Sequence, residues 1–248
     1  MKGVILNIAP EAQLVDISHN IEPQNIVHAG RVIEAAYKFF PENTVHLVVV
    51  DPGVGGDRRP IALQSGNHTF VGPDNGVFTP VIDRQSRIYE LTEEKYFLLP
   101  VSATFHGRDI FAPVAARLAN GAKLSSMGRR IKDPITLEQP LPHYDGKNLN
   151  GKIVYIDRFG NLATNITAQD LETHFFGEKD LQIRIGKKTV INGIDTSYSQ
   201  RQPGEGGALI NSWDTLEVFL RGGNAAETLR ISVGSTITVS KPPLHVIH

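Results

Sequence analysis

The chain of 248 residues contains no cysteine. This absence excludes a disulfide scaffold, a metal site with thiolate ligands and a cysteine nucleophile. No apolar run approaches the roughly 20 residues that a membrane-spanning helix needs. The first residues, MKGVILNIAPEA, are interrupted too early by Pro10 to form a signal peptide. We therefore expect a soluble intracellular protein, and the lack of cysteine fits a reducing cytoplasm.

Net charge is almost absent as well, because 25 basic and 26 acidic residues give −1 at pH 7. With the basic residues scattered, there is no electrostatic reason to expect nucleic acid or an anionic membrane as a partner. The nine histidines form neither HExxH nor a tight pair, so we expect no metal site. The phosphate-binding GxGxxG and P-loop motifs and the GxSxG serine motif are also missing.

The pattern of apolar residues predicts two domains that differ in secondary structure. Residues 26–40 have helical spacing, and the β-branched run VHLVVV at 45–50 is typical of a strand buried on both faces. Residues 132–150 are rich in proline and glycine and are predicted to form a linker. Short strand-like pieces punctuated by Gly and Asn follow. We predict an α/β domain with a central sheet flanked by helices over 1–140, and a smaller all-β, barrel-like domain over 150–248.

Two local predictions concern shorter segments of the first domain. QLVDIS at 13–18 is predicted to be a strand. Residues 110–121 are predicted to form a helix that ends at Gly121 and begins directly after HGRD, because Pro113 is acceptable only within a first turn. Asp109 would then be the N-cap residue of that helix.

The segment HLVVVDPGVGGDRRP, residues 46–60, is predicted to be a buried strand that runs into a glycine-rich, charged loop. Asp51 would stand at the carboxyl end of the strand, where α/β sheets bind their ligands. The glycines either let backbone approach a ligand closely or simply form the turn. From spacing alone, a charged surface turn is favoured over a functional site.

Other loops also place polar residues beside strands and helices. His106 precedes a predicted helix N-terminus, where N–H groups favour anions or lone pairs, and a purely structural histidine is an equal alternative. GPDNGVFT and IDRFGNLATNI each crowd Asn, Asp and Gly. In the second, the Phe159 ring suits stacking on a purine and the Asn161 amide suits its edge. Taken singly, each loop is better interpreted as a turn with a core phenylalanine.

Six separated motifs occur in one order and span nearly the whole chain: DISHNIEPQNI, VVVDPGVGGDRRPI, FVGPDNGVFTP, TFHGRDIFAPVAARLANG, IDRFGNLATNI and INSWDTLEVFLRGGNAA. Together they resemble the S-adenosyl-L-methionine hydrolases (hydroxide adenosyltransferases), relatives of the fluorinating and chlorinating adenosyltransferases. The resemblance implies an N-terminal α/β domain, a C-terminal barrel-like domain and a homotrimer with active sites between subunits. It also implies substitution by water at C5′ of S-adenosylmethionine, which releases adenosine and L-methionine. The implied reaction uses no cofactor.

The resemblance implies a catalytic set of Asp51, Arg58 and His106, which fall on the Asp, Arg and His of the hydrolase branch. The halogenases replace that Asp by an aromatic residue and the His by Tyr. The fluorinase has a halide-contacting Ser in place of Gly107. The charged set in this chain therefore implies delivery of hydroxide.

Further substrate contacts are implied by the same comparison. They fall on Asp51, Gly107, Asp157, Phe159, Asn161, Ser212 and Asn224. The loop 157–161 matches the family's contacts to adenine and the methionine end, and Ser212 and Asn224 match contacts from the C-terminal domain. Trp213 stands where the fluorinase has Arg, so we expect no charged contact there. Glu217 is our additional hypothesis for the methionine ammonium group.

Family members usually begin with a strand and a TDFG-like loop, whose Asp holds the ribose diol, ahead of the helix that contains KGVIL. The sequence begins within that helix, so we expect neither the strand nor that Asp in it. Two alternatives to hydrolysis stay open at this point. One is a chloride adenosyltransferase, and the other is a non-catalytic protein that binds adenosine or S-adenosylmethionine.

Overall fold

The computed structural model describes residues 1–186 and 189–242. The chain divides into two compact units, Met1–Glu138 and Gln139–His248, called here the first and the second unit. The first unit combines helices with a sheet, and the second consists mainly of strands. The predicted fold class is therefore confirmed. Within the described ranges, no helix combines the length and apolarity required to cross a membrane.

The first unit is built from three α-helices and one five-stranded sheet. The helices are α1 (Lys2–Ile8), α2 (Ile26–Ala36) and α3 (Ala112–Ala119), and the strands are β1 (Val45–Leu47), β2 (Pro60–Ser65), β3 (His68–Pro73), β4 (Arg87–Leu91) and β5 (Gly128–Ile131). The strand order is β1-β3-β2-β4-β5. β1 runs parallel to β3, with Leu47 opposite Val71, and the other neighbouring pairs are antiparallel.

Alternation along the central strands gives this sheet two buried faces. Leu63 and Phe70 pack with Ile33 of α2 on one face. Ala62 and Val71, one position away, pack with Val114 of α3 on the other face. The apolar residues of α2, which recur at helical spacing, are thus buried against one face of the sheet. Strands β2 and β3 are covered by α2 on one face and by α3 on the other.

Two strand predictions for the first unit differ from the structure. Residues 13–18 form no strand, and Val15 there is 67% exposed. Without a neighbouring strand, an alternating apolar pattern has no sheet face to join. The run 45–50 is assigned as strand only over β1, and Val48 N still donates to Val71 O at 3.0 Å. Beyond that bond, the Val50 carbonyl accepts from the Asn75 side chain instead of from a strand.

The second unit holds a strongly curved, antiparallel sheet with two short helices. Its elements are β6 (His143–Tyr144), β7 (Asn148–Ile156), β8 (Leu162–Thr167), α4 (Ala168–Phe175), β9 (Gln182–Ile185), β10 (Thr189–Asn192), β11 (Gly206–Ile210), β12 (Thr215–Leu220), α5 (Ala225–Leu229) and β13 (Thr236–Ser240). The order is β10-β9-β13-β7-β8-β12-β11, with β6 beside β7. Asp195, just after β10, bridges to Leu209 in β11 and so nearly closes the barrel.

Local signals explain where the helix α4 begins. Thr167 Oγ1 accepts from Asp170 N at 3.1 Å while Asp170 Oδ2 accepts from Thr167 N at 2.8 Å, which is a capping box. The apolar side of α4 then buries Leu171 and Phe175 in the barrel core, together with strand residues such as Ile183. Residues 133–142, within the predicted linker, carry no helix or strand, but residues 143–144 and 148–150 of that segment belong to β6 and β7. The segment without helix or strand is therefore shorter than the predicted linker.

Candidate active site

A buried ion pair lies in the glycine-rich loop that follows β1. Arg58 Nε donates to Asp51 Oδ1 at 2.9 Å and to Oδ2 at 3.0 Å, and Arg58 Nη2 also donates to Oδ2. The side chains of Arg58 and Asp51 are only 8% and 5% exposed. A charged surface turn would leave such groups in water, so spacing alone pointed to the wrong environment for them.

Glycines allow this loop to pack against the segment that precedes His106. Gly55 has φ of +76°, and a Cβ there would lie 2.2 Å from the carbonyl oxygen of Ala103. A Cβ at Gly53 would lie 3.1 Å from Cγ of Arg58. Only glycine meets both the left-handed backbone and the close approach at position 55. Two loops that are distant in sequence are thereby brought into contact.

His106 contacts the same guanidinium from the second loop. Arg58 Nη2 donates to His106 Nδ1 at 2.7 Å. Because a guanidinium has only donors, Nδ1 must carry the lone pair, and the proton of the neutral ring is assigned to Nε2. Burial, and next the charge of Arg58, lower the pKa of His106 below its ordinary value. The neutral imidazole therefore presents an N–H donor at Nε2.

The helix after His106 begins earlier than predicted. A π-helical segment, Gly107–Phe111, leads directly into α3, and Pro113 lies in the first turn of α3. Single π turns are common at functional sites. Gly107 is buried, and a Cβ there would lie 3.0 Å from the sulfur of Met1. Packing therefore gives this position a reason to be glycine that is independent of any ligand.

Asp109 is not the N-cap residue that the sequence predicted. Its Oδ2 accepts from Ser102 N at 2.8 Å, and its Oδ1 accepts from Arg108 Nε at 2.6 Å. The carboxylate is 1% exposed and reaches back to the loop instead of to the helix N–H groups. Because the π turn moves the helix start to Gly107, Asp109 lies inside the first turn and fixes the loop before His106.

One end of the Arg58 guanidinium is left unoccupied by protein acceptors. Arg58 Nη1 is buried and has no hydrogen-bond partner among the described residues. The Phe111 ring lies under the group, with its centroid 5.2 Å from Arg58 Cζ. Since buried donors are nearly always paired, this end is suited to a bound oxygen atom. The set thus combines a carboxylate acceptor with N–H donors from a guanidinium and a neutral imidazole.

The loop 157–161 in the second unit is held by its own acidic residue. Asp157 Oδ1 accepts from Phe159 N and Asn161 N, both at 2.8 Å. Asp157 Oδ2 accepts from Asn161 Nδ2 at 3.0 Å. Phe159 is 76% exposed, so the interpretation as a turn with a core phenylalanine is wrong for this loop. The exposed ring is available to stack on another molecule.

Asn224 packs onto the same loop. It is the N-cap residue of α5, and its Oδ1 accepts from Glu227 N at 2.9 Å. Gly160 has φ of +83°, and a Cβ there would lie 1.9 Å from Asn224 Oδ1. Asn224 therefore has a capping role in addition to any contact with a ligand.

A cavity of about 460 Å³ in the second unit brings together three of the predicted residues, Asp157, Ser212 and Glu217. Aromatic rings line its wall, and the Tyr155 and Trp213 centroids are 5.2 Å apart. Phe159, Asn161 and Asn224 do not line it; Asn161 reaches it only through its bond to Asp157.

Glu217 is the buried charge of this cavity, with 6% exposure. Its Oε1 accepts from Tyr198 OH at 2.7 Å, and its Oε2 accepts from Asn211 Nδ2 at 3.1 Å. Both partners are neutral, and no Lys or Arg of the described ranges pairs with it. Burial, followed by the bond to Glu217, raises the pKa of Tyr198. A cationic ligand group would supply the missing countercharge.

The lining residues that sequence reasoning missed include Tyr155, Tyr198 and Asn211. Tyr155 had a usable signal, because it stands two positions before Asp157 and side chains two apart on a strand share a face. Tyr198 and Asn211 come from loops whose path no local pattern gives. Within the described ranges, no group of three or more His, Cys, Asp or Glu is arranged to hold a metal ion.

Comparison with known proteins identifies the family. The sequence model described as SAM hydroxide adenosyltransferase N-terminal domain matches residues 1–128, and that of the C-terminal domain matches residues 151–238. The chain belongs to the SAM hydroxide adenosyltransferase family. Both units of the chain are therefore matched by a domain model of this family.

Relatives agree with this family over nearly the full chain. A protein of Salinispora arenicola named (R)-S-adenosyl-L-methionine hydrolase is 32% identical, over 96% of this chain and 90% of the relative. A fluorinase of an Actinoplanes species is 29% identical, over 97% and 91%. The crystal structure of an uncharacterized conserved protein from Thermotoga maritima superimposes with a TM-score of 0.88 at 33% identity, covering 97% of this chain and 93% of that one. The chain thus resembles a relative named as a hydrolase as well as one named as a fluorinase.

Proposed function

We propose that this protein hydrolyses (R)-S-adenosyl-L-methionine to adenosine and L-methionine by attack of water on C5′. The observation that carries the proposal is the buried contact of Arg58 with both Asp51 and His106. The relative from Salinispora, named a hydrolase of this substrate, supports the choice of substrate.

The leaving group makes few demands on the protein. A sulfonium departs as a neutral thioether, so no general acid is needed. The nucleophile is the difficult partner, because free water has a pKa of about 15.7. Catalysis therefore has to come from orienting one water molecule and stabilising the hydroxide character that it gains.

The three side chains have distinct roles in this scheme. Asp51 is the acceptor for a water proton, because the single lone pair of His106 Nδ1 already accepts from Arg58, whereas the Asp51 oxygens that accept from Arg58 have further lone pairs. Arg58, through the buried Nη1, and His106, through Nε2, donate to the developing hydroxide. General-base assistance is worth about 10²–10⁴-fold, and orientation of the water in a dry site can contribute about 7–11 kcal/mol.

Substrate binding is proposed for the residues that family resemblance singled out. The exposed Phe159 ring is suited to stack on adenine, and Asn161 and Asn224 hold the loop that carries it. Asp157 and Ser212 line the cavity that would receive the polar ends of the substrate, and Glu217 offers a countercharge to the methionine ammonium group. Gly107 adjoins His106 and would border the reacting carbon.

Assembly and location complete the proposal. We infer a homotrimer, as family resemblance implies, with the catalytic set of one subunit completed by a neighbouring subunit. The lack of cysteine fits a location in the cytoplasm. S-Adenosylmethionine is the substrate, and no additional cofactor takes part in the scheme. Light scattering coupled to size-exclusion chromatography tests the trimer, and a monomeric, fully active enzyme would contradict it.

The similarity to a fluorinase makes halide transfer the second candidate. Asp51 argues against it, because a buried carboxylate repels an anionic nucleophile. Purified protein incubated with S-adenosylmethionine and chloride separates the candidates by chromatography of the products. Formation of adenosine supports hydrolysis. Formation of 5′-chloro-5′-deoxyadenosine would show that the protein transfers the adenosyl group to chloride instead. Tight adenosine binding in calorimetry without release of methionine would instead indicate a non-catalytic binding protein.

A further inference from the structure

The turn formed by residues 74–76, directly after β3, holds both ends of the catalytic loop 51–58. At the leading end, Asn75 Nδ2 donates to the carbonyl oxygen of Val50 at 2.9 Å. At the trailing end, Asp74 N donates to Arg59 O at 2.9 Å, which extends the β2–β3 ladder by one bond. Arg59 Nε also donates to Asp74 Oδ2 at 2.8 Å. Two adjacent side chains thus fix the residues on either side of the loop.

The turn is itself anchored by protein groups. Asn75 Oδ1 accepts from Val77 N at 3.2 Å, which orients the amide so that its NH₂ faces the Val50 carbonyl. Asp74 is 1% exposed, and its Oδ1 accepts from Ile135 N at 2.8 Å. Both side chains are therefore held before they contact the catalytic loop.

The loop between these two ends has little to stiffen it. It contains Gly53, Gly55 and Gly56, and most of its residues from Pro52 to Asp57 are exposed. Its internal backbone bonds are few, such as Gly56 N to Gly53 O at 3.0 Å. Glycine has the greatest backbone freedom of any residue. The placement of Asp51 against Arg58 therefore depends on how the ends are held.

We propose that Asn75 and Asp74 are positioning residues, which set the geometry of the Asp51–Arg58 pair through the backbone at residues 50 and 59. The expected effect on kcat rests on the proposed hydrolysis. Neither side chain has to touch substrate. Asn75 acts on the residue before Asp51, and Asp74 acts on the residue after Arg58.

Two variants test the leading end. Asn75→Asp keeps the size and the acceptor for Val77 but sets a carboxylate oxygen against the Val50 carbonyl, and Asn75→Ala leaves that carbonyl unpaired. Since a misplacement of about 1 Å can cost about 10²-fold, we expect kcat to fall roughly ten- to a hundredfold with KM changed less than about threefold. Asp74→Asn tests the trailing end, because it removes the charge that pairs with Arg59, and it is expected to lower kcat by a similar factor.

Asn165 in the second unit provides a matched control. Its amide also joins two backbone groups, donating to Pro140 O at 2.5 Å and accepting from Lys152 N at 2.7 Å. Asn165→Ala should lower the melting temperature but leave kcat unchanged. An equal fall in kcat for Asn165→Ala and Asn75→Ala would assign the effect to general destabilisation and overturn the proposal.

A second readout does not require turnover. In the wild type, NMR of labelled histidine should give His106 a depressed pKa and the Nε2–H tautomer. In Asp74→Asn, which loosens Arg59 next to Arg58, displacement of Arg58 should move that pKa back toward its ordinary value. If the wild type fails to hydrolyse the substrate, the proposed function fails while this shift still decides the positioning role. An unchanged His106 signal, or failure of both Asn75 variants to fold, would overturn the proposal.

Discussion

Arg58 Nη2 donates to His106 Nδ1 at 2.7 Å, and this contact determines what the histidine can do. Nδ1 is occupied as an acceptor, so the ring cannot take a proton there without breaking from Arg58. Nε2 carries the remaining proton and is a donor. In this arrangement His106 stabilises an oxygen that gains negative charge, and Asp51 is left as the acceptor.

Replacement of His106 should separate a donor role from a general-base role. We expect His106→Ala to lower kcat about 10²–10³-fold, the usual cost of losing one donor to a developing oxyanion. His106→Gln should retain more activity than the alanine variant, because a Gln amide can also donate an N–H. Single-turnover rates measure both. Equal losses in the two variants would contradict the donor role.

The pH dependence of kcat/KM should reflect the depressed pKa of His106. Burial and the charge of Arg58 lower this pKa, so the neutral ring persists as pH falls through 6.5. Activity should therefore stay level through pH 6.5 and decline only at a lower pH, where Nδ1 gains a proton that faces Arg58. Initial rates across a pH series provide the measurement, and half-loss of kcat/KM at or above pH 6.5 would exclude this assignment.

Stability should fall in mild acid because of a second histidine, His46. It is 4% exposed, stacks on Phe70 with centroids 5.0 Å apart, and its Nε2 lies 3.2 Å from His68 Nδ1. Burial, and next the neighbouring His68, lower its pKa from 6.5 to about 4. Between those values the unfolded chain binds a proton that the folded chain does not. Stability is thus lost as pH falls from about 6.5 toward 4.

The variant His46→Gln isolates this effect. From the depressed pKa, His46 should make the free energy of unfolding about 2 kcal/mol smaller at pH 5 than at pH 7.5. Urea unfolding measures the drop in the free energy of unfolding between pH 7.5 and pH 5. This drop should be about 2 kcal/mol smaller in His46→Gln than in the wild type. An identical pH difference in wild type and variant would show that His46 titrates normally.

Glu217 should matter for substrate affinity more than for the chemical step. The contact between Glu217 and the methionine ammonium group is equally strong in the bound substrate and in the transition state. Its loss therefore raises KM without lowering kcat. A hydrogen bond to a charged group is worth about 1.5–3 kcal/mol, so we expect Glu217→Gln to raise KM at least about tenfold. Tyr198→Phe keeps the charge and should have a smaller effect. An unchanged KM in Glu217→Gln would remove the residue from the site.

Sequence periodicity predicted the layers of the fold better than their ends. Helical spacing located α2, and strand-like pieces located the barrel, because burial of one face imposes a period on the sequence. The start of the helix at Gly107 was missed, because a π turn leaves no periodic signal. Asp109 was misassigned for the same reason.

The residues of the catalytic set could be predicted from family resemblance, but the contacts that bury them and bring them together could not. No local pattern gives the close approach of Gly55 to Ala103 that brings Arg58 within reach of His106. Likewise, GPDNG was recognised as a turn, but its bonds to residues 50 and 59 depend on the pairing of β2 with β3. Contacts between distant segments are set by tertiary packing, and one sequence does not record them.

In the proposed reaction, water held by Asp51, Arg58 and His106 attacks C5′ of S-adenosylmethionine. Mass spectrometry of adenosine formed in water enriched in oxygen-18 measures whether the new 5′-hydroxyl comes from that water. The wild type should produce adenosine with the heavy isotope in its 5′-hydroxyl, and Asp51→Asn should produce it about 10²–10⁴-fold more slowly. Adenosine without the label, or an Asp51→Asn variant as fast as the wild type, would contradict the account.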